Sequence, residues 1–225
     1  MSGPNLTVAV MQPYFLPYAG YFRLFSHADL FVIYDCVQFP RRGYVHRNKL
    51  IDRAGNLRWV SLPIAHCPMD TRIDNLAFAE DCMPRWLDLL AAFPTPAQDS
   101  VTSALFEAMQ DLSGTPVDYI VGLMESCCSI LDLPWNVLRS SELGLPETLR
   151  GQDRILAIAK AVGATRYINA PGGIDLYDPL AFSKAGLELC FLTPYDGPKP
   201  SIFQRLCDEP LQSLRSEFDR VSLAV

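Results

Sequence analysis

Apolar residues along this chain change their period several times, and each change marks an element. Residues 6–11, LTVAVM, form a β-branched apolar run stopped by Pro13, which reads as a buried strand. From Tyr18 to Phe25 the apolar residues recur at helical spacing behind Pro17. Leu30–Tyr34, LFVIY, is a second apolar run and ends at Asp35. Strand, helix and strand in such quick succession predict a βαβ unit with parallel strands. Residues 45–51 and 57–64 flank Ala54-Gly55-Asn56 and predict a hairpin. Helical periodicity covers 82–93 until Pro94-Thr95-Pro96 breaks it, and returns near 101–112 and 117–132. Alternation then resumes. A strand over 135–138 ends at Arg139-Ser140-Ser141, and a helix over 152–162 is closed by Gly163. A strand over 166–169 runs into Pro171-Gly172-Gly173, followed by a helix over 179–185 and a strand over 187–192.

This pattern predicts a single α/β domain over 1–225, a mostly parallel, Rossmann-like sheet with helices on both faces. A helical insertion or subdomain is expected over 82–132. Open parallel sheets bind ligands outside the carboxyl ends of their strands. Four stretches are thereby expected to converge: Gln12–Tyr14, Asp35–Phe39, Arg139–Ser141 and Asn169–Gly173.

Composition narrows the class. No apolar run approaches the ~18 residues of a membrane span, and the N-terminus lacks the basic start of a signal peptide, so the expected location is the cytoplasm. The seven cysteines are odd in number, scattered and without C-x-x-C spacing, and read as free thiols. A net charge of −6 argues against a nucleic-acid footprint. The local cluster Arg41, Arg42, Arg47 and Lys49 is a counter-current, large enough to hold one anionic ligand.

The strand ends carry the candidate chemistry. Gln12 ends a buried strand with an amide that needs a partner, with Tyr14 beside it and Gly20 permitting close approach; the other aromatics here read as core. Asp35 is the candidate general base, with Gln38 nearby. Cys36 could instead act as a nucleophile if His46 lay within reach; an inert thiol is the plainer reading. In the hairpin, His46 and Asn48 are expected on one side and Arg47 on the other, where it can fork onto a phosphate or carboxylate. Ser141, Gln152, Asp153, Gly172 and Gly173 complete a substrate-binding set, although Asp153 suits a helix first turn and a glycine pair suits a turn. His66-Cys67-Pro68-Met69-Asp70 lacks further ligands at zinc-like spacing, so no metal site is expected.

Taken together, MQPYFLPYAGYF, ADLFVIYDCVQF, RRGYVHRNKL, Gly151-Gln152-Asp153-Arg154 and GATRYINAPGGIDLYD resemble the WbqC-like protein family. The resemblance covers most of the chain in order. It implies a role in O-antigen, polysaccharide or natural-product biosynthesis, and a site including Gln12, Pro13, Gly20, Asp35, Gln38, Arg47, Asn48, Gln152, Asp153, Gly172 and Gly173. Met11 stands where many members have His, and His46 where Asn is usual. A fainter likeness to nucleotidylyltransferases lacks their histidines, since Tyr18 and Tyr21 occupy those places.

The leading expectation is a transferase that moves an acyl or aminoacyl group from an activated donor, such as a carrier-protein thioester, to a sugar or small-molecule amine. Catalytic roles fall to Asp35, His46 and Arg47. The alternatives are a Cys36–His46 hydrolase or thioesterase and a non-catalytic assembly protein. The cofactor is unknown. The expected partners are a small-molecule or carrier-bound substrate, with a carrier protein or a second copy of the chain left open, and neither nucleic acid nor a membrane.

Overall fold

The computed structural model describes residues 5–96 and 100–218 and the backbone of 223–224. Five parallel strands form the centre of the fold: β1 (Thr7–Met11), β2 (Leu30–Ile33), and, after a hairpin of β3 (Arg47–Ile51) and β4 (Leu57–Ser61), β5 (Val137–Arg139), β6 (Arg166–Asn169) and β7 (Glu188–Leu192). A short β8 (Leu223–Ala224) adds an antiparallel edge, giving the order β5-β2-β1-β6-β7-β8. The chain therefore builds outward from β1 in one direction and then reverses to the other side at β6. This is the doubly wound arrangement, whose crevice opens between the two strands flanking the reversal.

The strands are apolar on both faces because helices cover both. Val8, Val10, Val32 and Tyr167 pack against α5 (Gly151–Ala161) and α6 (Pro179–Lys184) through Ile155, Ile158 and Phe182. Ala9, Phe31, Ile33 and Ile168 face the opposite side, where α1 (Ala19–His27) lies. There Phe25 stacks on Phe31 at 4.0 Å and on Trp135 at 5.4 Å. Each fully buried ring of this kind contributes roughly 2–3 kcal/mol.

Between β4 and β5 run α2 (Cys82–Leu90), α3 (Val101–Met109) and α4 (Pro116–Leu131). Thr115 caps α4 by accepting from the Asp118 N–H, with Pro116 in the first turn. These helices share one core with α1: Phe15 meets the buried Trp86, and the Trp86 Nε1 donates to the Met109 carbonyl at 2.6 Å.

Two helices had no counterpart in the periodicity: α7 (Ile202–Asp208) and α8 (Leu211–Phe218). Both are short. Their hold comes from tertiary contacts, with Ser201 capping Phe203 and Ile202, Phe203, Leu214 and Phe218 entering the α1-side core. Among the described residues, no helix is long and apolar enough to cross a membrane.

Candidate functional site

Parallel pairing puts the carboxyl ends of β5, β2, β1 and β6 side by side along one edge of the sheet. The four stretches after these strands are thus neighbours in space. Asp35, two residues beyond β2, is fully buried. Its carboxylate accepts from Arg139 Nε at 2.7 Å, Ser140 Oγ at 3.0 Å, the Ser141 backbone N–H at 2.9 Å and Ser141 Oγ at 2.8 Å. Arg139 also reaches Asp118 through Nη1 at 2.7 Å. The ends of β2 and β5 are therefore locked by a carboxylate whose oxygens are each doubly occupied.

Cys36, the next residue, has different surroundings. Ser140 Oγ lies 3.1 Å from its sulfur and Arg154 Nη1 lies 3.0 Å away. Arg154 is 4% exposed, and its other nitrogens donate to the Leu149 and Pro146 carbonyls. No carboxylate pairs with it among the described residues. A buried guanidinium with only carbonyls and a sulfur for company is an uncommon expense of free energy. Tyr34 borders the same group; burial, with the Cys36 charge adding and Arg154 opposing, pushes its phenol up to about 12.

Gln12 is half-buried at the end of β1, beside the reversal point. Its carbonyl accepts from Tyr21 Oη at 2.8 Å, while its amide makes no hydrogen bond among the described residues. Tyr14 sits between Tyr21 and Tyr44, ring centres 5.4 and 6.0 Å away. Gly20 is demanded by aromatic neighbours: a Cβ there would fall 2.3 Å from the Tyr18 ring and 2.8 Å from Tyr195. Across the reversal, a Cβ at Gly173 would fall 2.6 Å from Asn169 Nδ2, and the Gly173 N–H already serves the Ala170 carbonyl. Gly172 borders open space.

Other candidates are committed to backbone. Gln152 Oε1 accepts from the Asp178 N–H at 2.6 Å, and Asp153 is exposed in the first turn of α5. Gln38 is exposed and donates to the Met69 carbonyl at 2.7 Å. Asn48 is buried and donates to the carbonyls of Phe15 and Leu16 at 3.1 and 2.6 Å. It thereby clamps the loop after β1 where Leu16 takes a left-handed φ of 45°.

Hairpin alternation divides its residues as the period demands. Arg47 projects outward, 4.4 Å from the Trp59 ring centre, donating to the Gly43 and Arg42 carbonyls. His46 meets Phe39 edge-on at 4.9 Å, its Nδ1 buried without a partner among the described residues. Burial, then the Arg47 charge, lowers its pKa to about 4. The side chains on the Cys36 sulfur are Ser140 and Arg154; His46 is not one of them.

Residues 35–39 are hydrogen-bonded to 71–74 through Phe39–Thr71, Ile73–Val37 and Asp74–Asp35. Alongside lies a cavity of about 440 Å³ lined by Ala65, His66, Cys67, Pro68, Asp70, Thr71, Arg72, Asn75 and Ala77. None of the site residues expected from sequence lines it. Among the described residues no cluster of three or more His, Cys, Asp or Glu could hold a metal ion.

Arg139, Ser140 and Arg154 were the residues the candidate set lacked. Arg154 had a readable signal, since it falls on the same helical stripe as Ile155, Ile158 and Ala159, where a charge demands a buried partner.

Fold and strand-end frame define a doubly wound α/β protein with its polar side chains gathered at the carboxyl edge of the sheet. The chain belongs to the WbqC-like protein family, whose profile matches residues 12–201. The uncharacterized protein Rv1507c of Mycobacterium tuberculosis is 24% identical over 198 residues, which is 84% of this chain and 83% of that protein. No solved structure matches.

Proposed function

We propose that this protein is a biosynthetic transferase that moves an acyl or aminoacyl group, and that the transfer runs through Cys36. The observation that carries this reading is the buried Arg154 guanidinium at 3.0 Å from the Cys36 sulfur, with no carboxylate paired to it among the described residues. Asp35 is saturated by four donors and has no lone pair turned toward a substrate, so it serves as a positioning carboxylate rather than a base. It holds Ser140 against the sulfur and Arg139 across the strand ends.

In this reading the Cys36 thiolate, the attacking form of a cysteine, adds to the carbonyl of a thioester donor and expels the donor thiolate. An acceptor amine then attacks the acyl-cysteine; the amide forms, the C–S bond breaks and the amine proton leaves with the cysteine sulfur. Gln12, whose amide makes no hydrogen bond among the described residues and sits at the reversal point, orients the acceptor or the acyl carbonyl. The resemblance to the WbqC-like family supports placing this chemistry in polysaccharide or natural-product assembly.

The test needs no native substrate. The full chain is incubated with an acyl thioester of N-acetylcysteamine and its cysteine peptides are read by mass spectrometry. An acyl adduct on Cys36, absent in Cys36→Ser and reduced in Arg154→Gln with folding intact, is the expected result. Absence of both an adduct and iodoacetamide labelling at Cys36, while the exposed Cys207 is labelled, would refute the route.

A further inference from the structure

The β3–β4 hairpin and the loop before it gather positive charge, and Arg47 and Lys49 carry it onto the outward face. Residues 41–61 hold six of the chain's 19 basic residues and a single acid, Asp52, in a protein whose net charge is −6. Cross-strand register puts Lys49 opposite Trp59 and Ile51 opposite Leu57 on the exposed side, while Asn48 and Val60 point inward. Arg47 and Lys49 both lie over the Trp59 ring, at 4.4 and 5.1 Å, and neither pairs with a carboxylate among the described residues. Trp59 is nonetheless 43% exposed, and Tyr44 and Leu57 are 49% and 56% exposed.

Large aromatics with unpaired cations are the composition of a protein-binding hot spot, and a cationic face on an acidic chain selects an acidic partner. The face is also joined to the sheet edge. Trp59, Tyr44, Tyr14 and Tyr21 follow one another at ring separations of 6.0, 6.0 and 5.4 Å, and the Tyr21 hydroxyl ends on the Gln12 carbonyl. A partner seated on Trp59 therefore sits beside the loop that opens the candidate site.

We infer that this hairpin face docks a small acidic carrier protein that presents the acyl thioester, an inference that rests on the transferase reading above. Acidic side chains of the carrier meet Arg47 and Lys49, its apolar residues cover Trp59, Tyr44 and Leu57, and its thioester arm extends past Tyr14 toward the strand ends.

The experiment titrates the full chain with purified acyl carrier protein bearing an acyl-phosphopantetheine arm, by calorimetry, in low and in physiological salt. Binding should weaken by roughly tenfold or more in Trp59→Ala and in Lys49→Glu, the usual effect of removing a hot-spot anchor. It should also weaken as salt rises. Acylation of Cys36 from the small N-acetylcysteamine thioester should be unchanged in both variants. Failure of the wild type to bind the carrier, or equal binding by the variants, overturns the docking face. So does preferential binding of a nucleotide or RNA, or self-association of the chain, that vanishes in the same variants. If the small thioester never acylates Cys36, the transfer reading fails, while the carrier titration still judges the face on its own.

Discussion

Replacing Asp35 by asparagine separates a positioning carboxylate from a catalytic base. The side chain is fully buried and receives four hydrogen bonds, two on each oxygen. An asparagine that keeps its carbonyl toward Ser140 and the Ser141 N–H must turn its NH2 toward Arg139 Nε, 2.7 Å from the present oxygen. Two donors then face each other, and a charge-assisted bond worth about 1.5–3 kcal/mol is lost. The Ser141 hydroxyl can rotate to accept, and Arg139 keeps Asp118, which limits the damage. The expected destabilisation is about 2–4 kcal/mol, and about 3–5 kcal/mol for Asp35→Ala, which strands every donor. Urea unfolding with an unchanged m-value measures it. A cycle with Arg139→Gln should return a coupling of at least about 1 kcal/mol. An Asp35→Asn protein within about 0.5 kcal/mol of wild type, the range of a surface change, would refute the clamp and return Asp35 to the role of a free base.

Two further outcomes follow from the same geometry. His46 has a folded pKa of about 4 against its ordinary 6.5, so the unfolded chain binds the extra proton; stability should fall as pH drops from about 6.5 toward 4. His46→Gln should remove that part of the acid slope, and an NMR titration of the imidazole with a midpoint at 6 or above would contradict the burial argument. Gly20→Ala gains about 1 kcal/mol of helix propensity yet drives a methyl into the Tyr18 and Tyr195 rings. Tyr195 cannot yield cheaply, since its hydroxyl is held by Glu217 and Arg205. Overpacking costs typically 1–3 kcal/mol, so a net fall in melting temperature is expected, and an unchanged or raised value would show that the rings move aside.

Much of the sheet was readable because both of its faces are covered. Runs such as Val8–Val10 and Phe31–Ile33 are apolar whichever way they point, so local sequence marks them as strands without any knowledge of their neighbours. Helices α7 and α8 were not readable. Ile202–Asp208 makes two turns, too short for periodicity to stand out, and is held by burial against α3 and α8, where Phe203 stacks on Phe106, and by the Ser201 cap.

The site divides along the same line. Sequence alone determined that the stretches after β1, β2, β5 and β6 share one edge, because parallel pairing leaves them no other arrangement once the strands are known. Its motifs, in order over most of the chain, also pointed to the WbqC-like family, whose profile matches residues 12–201. Which of those residues are free and which are spent was decided only by the tertiary structure. Asp35 and Cys36 are adjacent in the chain, the first the candidate base and the second the alternative nucleophile, yet Asp35 meets Arg139, Ser140 and Ser141 while Cys36 meets Ser140 and Arg154, partners more than a hundred positions away. Hydrogen-bond saturation and charge compensation depend on which distant groups the fold delivers, and no local pattern encodes that delivery.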